Sequence, residues 1–320
     1  MELKLALAGD TMLGRGVAER LRTVAPSELF APALVEAARE ADLLLLNLEC
    51  CISTRGERSP DPRRPFAFRA PPAAVEALAL LGVDCVTLAN NHALDYGPDA
   101  LLDTLEHLQA AGIAVVGAGA DEGGAREPVT LEGPGGFRLA LVGATDHPGD
   151  DAAGPGRPGI AYADLRRGVP DWLLDTVGRL EAEAVVVTPH WGPNMAARPL
   201  PYVRAAAAEL VGAGATLVAG HSAHVFQAVE GPVLYDLGDF LDDYRVDPLL
   251  RNDLGLLVFV TLDERGPRRI EALPLRLDYC HTRPARGDEA AWIRRRFRAA
   301  CAEVGTDVVE EDDRLTVRLR

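Results

Sequence analysis

Short apolar runs alternate with amphipathic stretches over roughly the first two thirds of the chain. A continuous apolar run is typical of a buried strand, and apolar residues that recur every three or four positions are typical of a helix. This pattern predicts strands at 3–8, 42–48, 83–88, 113–117, 184–188 and 216–219. It predicts helices at 26–39, 73–81, 98–111, 172–182 and 201–213. The alternation of the two predicts an α/β fold with a mostly parallel core sheet.

The pattern changes after Gly231, where strands follow one another without intervening helices. Strands are predicted at 233–237, 254–262, 269–277 and 315–319, with a helix at 288–301. A hairpin is predicted from 129–131 and 138–142. The loop 53–72, rich in Pro and Arg, is long enough to be a lid or wall beside a site. Because no linker or repeat interrupts the chain, we expect a single domain over 1–320, with 246–320 completing the sheets and adding a helix.

Polar residues follow the predicted strands at their C-terminal ends. They are Asp10, Glu49, Asn90, Asn91, His92, His190, His221 and His224. Loops at these ends carry chemistry in α/β proteins, and Asp, Glu, Asn and His side chains together bind divalent metals. The Asn-Asn-His segment alone could be a polar turn with an exposed histidine. The Asp, Glu and His residues at the ends of other predicted strands favour a metal site.

Composition narrows the possible functions. The chain has 320 residues and a formal net charge of −15 from 33 basic and 48 acidic residues, which argues against a nucleic-acid partner. No segment is apolar for long enough to predict a membrane span, and the short N-terminal apolar run without a basic flank does not predict a cleaved signal. The five cysteines lack a Cys-x-x-Cys spacing, so a reducing cytoplasmic location is expected. Cys50 and Cys51 could supply a nucleophile, but a buried structural role is favoured.

Six motifs in order resemble those of a known family. They are Gly9-Asp-Thr-Met-Leu-Gly-Arg15, Asn47-Leu-Glu49, Ala89-Asn-Asn-His-Ala-Leu-Asp-Tyr-Gly97, His190-Trp-Gly192, Gly220-His-Ser-Ala-His224 and Leu234-Tyr-Asp-Leu-Gly-Asp-Phe240. With these motifs the chain resembles the CapA family of capsule proteins, named for poly-γ-glutamate synthesis, which is similar to the calcineurin-like metallophosphoesterases. The resemblance implies a four-layer α-β-β-α sandwich with mixed sheets.

The resemblance also implies a set of metal ligands for one or two divalent ions, Zn, Mn or Fe. Asn91, His190 and His221 would hold one ion, Asp10 and His224 would hold the other, and Glu49 would bridge them. His92 would be the general acid. Met12 stands where the phosphoesterases have a ligand histidine, and the last motif has two residues between its histidines. We therefore expect the Asp10/His224 site to be the weaker one.

Other residues are assigned supporting roles. Arg15 and Arg198 are candidates to clamp a carboxylate or phosphate, with surface charge as the alternative, and Asn90 is a candidate substrate contact. Hydrogen bonds that hold the site in place are expected from Asp95, Asp236 and Asp239. His107, His147 and His281 are expected to be solvated.

The predicted function is a metal-dependent hydrolase. It would act through a metal-bound hydroxide on a phosphate ester or a γ-glutamyl-type amide, so its substrate would be small and anionic or γ-glutamyl. The alternative is a non-catalytic accessory protein of capsule-polymer synthesis that binds an anionic polymer or a synthase partner. Metal content distinguishes the two, since an accessory protein need not hold stoichiometric metal.

Overall fold

The structure is a computed structural model that describes residues 1–319. Its strands are β1 (Glu2–Thr11), β2 (Leu43–Leu48), β3 (Cys51–Ile52), β4 (Arg69–Ala70), β5 (Cys85–Thr87), β6 (Ala114–Val116), β7 (Ala118–Gly119), β8 (Val129–Glu132), β9 (Arg138–Thr145), β10 (Gly159–Ile160), β11 (Ala184–His190), β12 (Leu217–Ala219), β13 (Val229–Glu230), β14 (Val233–Leu234), β15 (Asp239–Leu241), β16 (Leu254–Asp263), β17 (Gly266–Asp278), β18 (His281–Pro284), β19 (Val309–Glu311) and β20 (Arg314–Arg318).

The α-helices are α1 (Arg15–Arg20), α2 (Pro32–Ala38), α3 (Ala74–Leu81), α4 (Pro98–Ala110), α5 (Glu122–Arg126), α6 (Asp171–Arg179), α7 (Pro201–Gly212) and α8 (Gly287–Glu303). Within residues 1–319, no helix is both long enough and apolar enough to cross a membrane.

Two mixed β-sheets organise the fold. The larger has the order β19-β20-β17-β16-β1-β2-β5-β6, with β15 beside β1 and β18 beside β17. In it β1, β2, β5 and β6 are parallel, whereas β16 and β17 run antiparallel. The smaller has the order β13-β14-β12-β11-β9-β8, with a parallel centre. The predicted mixed α/β fold is thereby confirmed, and the strands after β15 join the larger sheet.

Successive side chains of a strand point to opposite faces of its sheet. The apolar side chains of the two sheets therefore fall into three clusters. One cluster joins the facing sides of the two sheets and includes Leu3, Leu5, Leu7, Leu139, Leu141 and Val186. A second packs the other face of the larger sheet against the first four helices and includes Ala6, Ala8, Val17, Leu34, Leu78 and Leu101. The third packs the smaller sheet on α6 and α7 and includes Val185, Val187, Leu173, Val203 and Leu210.

The predicted helix over 26–39 is wrong as a single element. The structure has a 3-10 turn over Pro26–Leu29, and α2 begins only at Pro32. Phe30 and Ala31 are extended between them, with ψ of 137° and 142°. A residue before proline is pushed out of the helical region, and Pro32 has no N–H to continue a helix from the preceding turn.

Parallel strands place their C-terminal ends at one edge of each sheet. The ends of β11 and β12 meet there through a backbone bridge between His190 and His221. At β1, the Asp10 N–H donates to the Gly238 carbonyl at 2.8 Å. Gly9 permits this approach, because a Cβ at that position would lie 1.8 Å from the same carbonyl oxygen. The fold therefore gathers the chemically active motifs into one place.

Candidate metal centre

Asp10 lies at the centre of the buried polar cluster, with only 1% of its surface exposed. Its Oδ1 accepts a hydrogen bond from Asn47 Nδ2 at 2.8 Å. His221 Nδ1 lies 3.2 Å from the same oxygen, without hydrogen-bond geometry. His224 Nδ1 lies 3.4 Å from Oδ2. One carboxylate is thus shared by residues from β1, β2 and the segment after β12.

Two groups of ligand atoms surround this carboxylate. The first comprises Asp10, Glu49 and His190, the second comprises Asp10, His224 and Asp239, and within each group the ligand atoms lie within 4.8 Å of one another. The grouping differs from the one that the resemblance implies. Asp10, rather than Glu49, is common to both groups, and Asp239 lies among the ligand atoms rather than behind them.

The donor set fits a divalent cation. Four buried atoms of the cluster have no hydrogen-bond partner in the described chain: Glu49 Oε2, Asp239 Oδ2 and both ring nitrogens of His221. A buried polar atom without a partner costs about 1–3 kcal/mol. Carboxylate oxygens and imidazole nitrogens are ligands for Mn, Fe and Zn, so a cation at this position would satisfy them together.

The pKa values of the cluster reflect buried carboxylates close to one another. Burial raises the pKa of Glu49 well above its usual value, and the Asp10 carboxylate raises it further. Burial likewise raises the pKa of Asp239. Burial also opposes ionisation of Asp10. The surrounding imidazoles, chiefly that of His221, outweigh this effect and hold the pKa of Asp10 below its usual range. Burial lowers the pKa of His190, which favours the neutral form that binds metals.

The three asparagines near the cluster have different surroundings. Asn47, to which the sequence analysis gave no role, contacts Asp10 and lies 3.3 Å from His190 Nδ1. Asn90 is fully buried, and its amide donates to Asn47 Oδ1 and to the Leu48 carbonyl, both at 2.9 Å. These bonds fix the loop after β5 and leave no free donor for the substrate contact predicted for Asn90. The half-buried Asn91 lines a cavity instead.

His92 is held beside the cluster by a carboxylate and an aromatic ring. Its Nδ1 lies 2.7 Å from Asp95 Oδ2, and that oxygen also accepts the Phe68 N–H at 2.7 Å. The Phe68 ring centroid lies 4.2 Å from the imidazole centroid. This arrangement fixes the ring plane and leaves Nε2 as the nitrogen available to a ligand.

The segment from His221 to His224 has a strained backbone. Ser222 and His224 have φ of 108° and 58°, a region that non-glycine residues rarely adopt. Asp236 supports the segment by accepting the Ala223 N–H and the Gly238 N–H, each at 2.8 Å. Strain that the surroundings maintain at a ligand-bearing turn is typical of a functional site.

Two adjoining cavities open next to His92. One of about 400 Å³ is lined by Asn91 and His147, and the other, of about 370 Å³, by His224 and Tyr244. Their shared lining residues are Phe66, His92 and Asn194. Phe66 belongs to the predicted wall loop and is 59% exposed. A substrate could therefore reach both sides of His92.

The two arginines predicted to clamp an anion already have partners. Arg15 lines the smaller cavity, but its Nε donates to both carboxylate oxygens of Asp243, at 3.0 and 3.1 Å. Arg198 is 74% exposed and pairs with Glu303 at 2.6 Å. This position agrees with the alternative that Arg198 is a surface charge. Arg245 also lines the smaller cavity. Among the described residues its guanidinium has no ion pair, and this arginine was not predicted from the sequence.

His147, expected to be solvated, is half-buried and lies beside the cluster, with its ring centroid 5.2 Å from that of His190 and its Nδ1 in contact with Asp146. A weak signal was present in the sequence, because His147 comes soon after the predicted strand 138–142, as the other site residues come after theirs. His107 and His281 are half-buried in α4 and β18. Tyr244 was also missed, and its ring centroid lies 5.3 Å from that of His224.

All five cysteines are free and buried. Burial raises the pKa of Cys51 to about 12, and it raises the pKa of Cys50 further. Because the thiolate is the nucleophilic form, these values favour the structural role for both residues.

Comparisons with known proteins agree with the motifs. Residues 4–244 match the family described as bacterial capsule synthesis protein PGA_cap. A probable polyglutamine synthesis accessory protein of Mycobacterium tuberculosis is 31% identical, across 97% of this chain and 94% of its own length. The PGA biosynthesis protein CapA of Bacillus subtilis is 28% identical, across 89% of this chain and 74% of its own. The capsule biosynthesis protein CapA of Bacillus anthracis is 26% identical, across 99% and 78%.

These matches confirm the resemblance to CapA that the six motifs indicate. They extend over all six motifs and, for the Mycobacterium tuberculosis and Bacillus anthracis relatives, over nearly the whole chain. The chain therefore belongs to the PGA_cap family of bacterial capsule synthesis proteins.

Proposed function

We propose that the chain is a metal-dependent hydrolase of capsule or poly-γ-glutamate metabolism. Its substrate would be a small phosphate ester or a γ-glutamyl-type amide. The proposal rests mainly on one observation: within residues 1–319, Glu49, His221 and Asp239 have buried ligand atoms without hydrogen-bond partners around the shared carboxylate of Asp10. A cation bound there would activate water and polarise the group that is cleaved.

The chain's own residues would bind and orient the substrate. His92, fixed by Asp95 and facing both cavities, would hold a proton for the leaving group on Nε2. Phe66 and Tyr244 would cover the apolar part of the substrate and exclude water from it. Asn91 would reach the ion or the substrate from the larger cavity.

The layers of the fold support this proposal. Apolar clusters on both outer faces and between the two sheets give the order helix, sheet, sheet, helix. We infer from it the metallophosphoesterase-type sandwich as a single domain. The cytoplasmic location stays part of the proposal and rests on the five free cysteines.

An accessory role is the second candidate, favoured by the name of the Mycobacterium tuberculosis relative, a probable polyglutamine synthesis accessory protein. In that role the chain would bind an anionic polymer or a synthase partner without cleaving it. Elemental analysis and a hydrolysis screen decide between the candidates, using the purified chain loaded with Mn, Fe or Zn. Stoichiometric metal with turnover of phosphate esters or γ-glutamyl peptides supports the hydrolase. Absence of both, with binding of poly-γ-glutamate, would replace it by the accessory role.

Replacement of Arg245 by Ala is expected to weaken anion binding by about 10-fold, which is the loss of one charge-assisted hydrogen bond. Arg245 lines the smaller cavity and, in the part of the chain that the structure describes, forms no ion pair, whereas Arg15 is paired with Asp243. Calorimetry with inorganic phosphate on the metal-loaded protein measures the effect. Arg198→Ala is the matched control and should bind phosphate like wild type, because Arg198 already pairs with Glu303. Equal affinities for all three proteins would contradict the role of Arg245.

Metal affinity is expected to fall as the pH is lowered. Burial raises the pKa of Glu49 and Asp239, so protons occupy these oxygens below the raised pKa values and compete with the ion. These protonated carboxyls stabilise the metal-free chain at low pH, and their contribution is lost as pH rises through the raised pKa values. Burial keeps His190 neutral, so it does not compete. Burial also acts to lower the pKa of His224, but the Glu49 and Asp10 carboxylates outweigh it and raise that pKa, so a proton on His224 competes in the same direction as the carboxyl protons.

The gain in melting temperature on adding Mn²⁺ should therefore be larger in mildly alkaline than in acidic buffer. Calorimetry in buffers of different ionisation enthalpy should show protons released on binding. An unchanged gain across pH, with no proton release, would contradict binding through these two carboxylates.

A further inference from the structure

Asp239 has one carboxylate oxygen whose environment its expected role does not explain. Its Oδ1 lies 2.8 Å from His224 Nδ1, as for a residue that orients a ligand histidine. Its Oδ2 is buried and accepts no N–H or O–H hydrogen bond from the described chain, and the residue is 1% exposed. The carboxyl packed against Asp239 is that of Asp242, which cannot donate to Asp239 when both are ionised. Orienting His224 needs only one oxygen, so the second is left for another occupant.

The backbone holds Asp239 beside Asp10. The short strand β15 pairs in parallel with β1, and Asp10 and Asp239 are partners in the register. The register shifts just after Asp10, and the Asp10 N–H is bonded to the neighbouring Gly238 carbonyl. The closeness of the two carboxylates is therefore a property of strand pairing rather than of one side-chain rotamer.

Met12 does not supply the ligand that related phosphoesterases have at this position. Its sulfur accepts the Gly14 N–H at 3.0 Å, and the residue is 1% exposed. A thioether is moreover a poor ligand for hard divalent cations. The second group thus lacks a ligand from residue 12, and a carboxylate oxygen from β15 lies within reach of the same ion.

We propose that Asp239 is a direct ligand of the second divalent ion, together with His224, and that Asp10 is the carboxylate shared by both ions. This rests on the proposed metal function. Two carboxylates and one imidazole form an oxygen-rich set, which suits Mn²⁺ better than a thiophilic ion. Asp239 takes the place that Met12 cannot fill, so two ions bind in spite of the departure from the phosphoesterase pattern.

Titration of the metal-stripped full chain with Mn²⁺ tests this assignment. Calorimetry gives the number of sites, and electron paramagnetic resonance distinguishes free from bound ion. Wild type is expected to bind two ions. Asp239→Asn, which keeps the size of the side chain, should keep the first ion with unchanged affinity and bind the second at least ~10-fold more weakly.

Asp242→Asn is the matched control. Asp242 is buried, and its carboxylate lies against Asp239, but it belongs to neither ligand group. The variant should keep both ions. Asp239→Ser serves as a second variant if the amide destabilises the fold, and circular dichroism checks each protein.

The outcomes separate this inference from the proposed function. Wild type that binds no Mn²⁺, Fe²⁺ or Zn²⁺ would overturn both. Wild type with one ion only, or two ions retained at full affinity in Asp239→Asn, would overturn the assignment of Asp239 alone. Loss of the second ion to the same extent in Asp242→Asn would also overturn the assignment of Asp239. Binding of that ion would then depend on the charge of the Asp239–Asp242 pair and not on a ligand oxygen of Asp239.

Discussion

The double substitution His190→Ala, His221→Ala is expected to lower metal affinity by more than ~10²-fold, beyond the loss usual for residues that only support a ligand. Each side chain is 1% exposed. His190 belongs to the first ligand group, and its Nδ1 lies 3.5 Å from Glu49 Oε1. His221 belongs to neither group, but both of its ring nitrogens are buried without a partner in the described chain, and its Nδ1 lies 3.2 Å from Asp10 Oδ1. Elemental analysis after purification and titration of the stripped protein measure the loss.

The control is a double substitution of two half-buried histidines outside the ligand groups, His107→Ala and His281→Ala. It should retain wild-type metal content. Because the site imidazoles are buried, thermal unfolding of each protein without metal is needed as well, so that lost metal is not confused with lost fold. Equal metal content in wild type and in the site variant would show that the ligand assignment is wrong.

Much of the fold was predictable because apolar strands and amphipathic helices alternate along the chain. The apolar runs of β1 and β2 are long and continuous, and both strands formed where they were predicted. The clustering of Asp10, Glu49 and His190 was predictable for a related reason, since parallel strands deliver their C-terminal residues to one edge. These are local signals that need no knowledge of distant contacts.

What could not be predicted depends on pairing between distant parts of the chain. Nothing near Arg15 indicates that Asp243 will neutralise it, and nothing near Arg198 points to Glu303. Likewise, the position of Asp239 among the ligand atoms results from the pairing of β15 with β1, which no local pattern encodes. A sequence identifies which residues can do chemistry, whereas the fold decides which of them remain uncommitted.

His92→Ala is expected to reduce turnover by ~10²- to 10⁴-fold for substrates with poor leaving groups, which is the usual contribution of a general acid. Its Nδ1 is engaged by Asp95, so Nε2 is left for the leaving group. The variant should keep its metal, because His92 is absent from both ligand groups and, unlike His221, has one ring nitrogen engaged by Asp95. Rate and metal content are measured together, on any phosphate ester or γ-glutamyl substrate that the screen identifies.

The dependence on the leaving group separates an acid from a residue that only shapes the cavity. A nitrophenolate departs without a proton, so the loss in His92→Ala should nearly vanish for nitrophenyl substrates and be full for alkyl ones. Asp95→Asn should show the same trend with a smaller loss, since Asp95 positions the imidazole but does not touch the substrate. Lost metal in His92→Ala would make His92 a ligand, and an equal loss for both leaving groups would remove the acid role. The position of His92 between the two cavities favours a loss that depends on the leaving group, because a leaving group in either cavity lies next to the same imidazole.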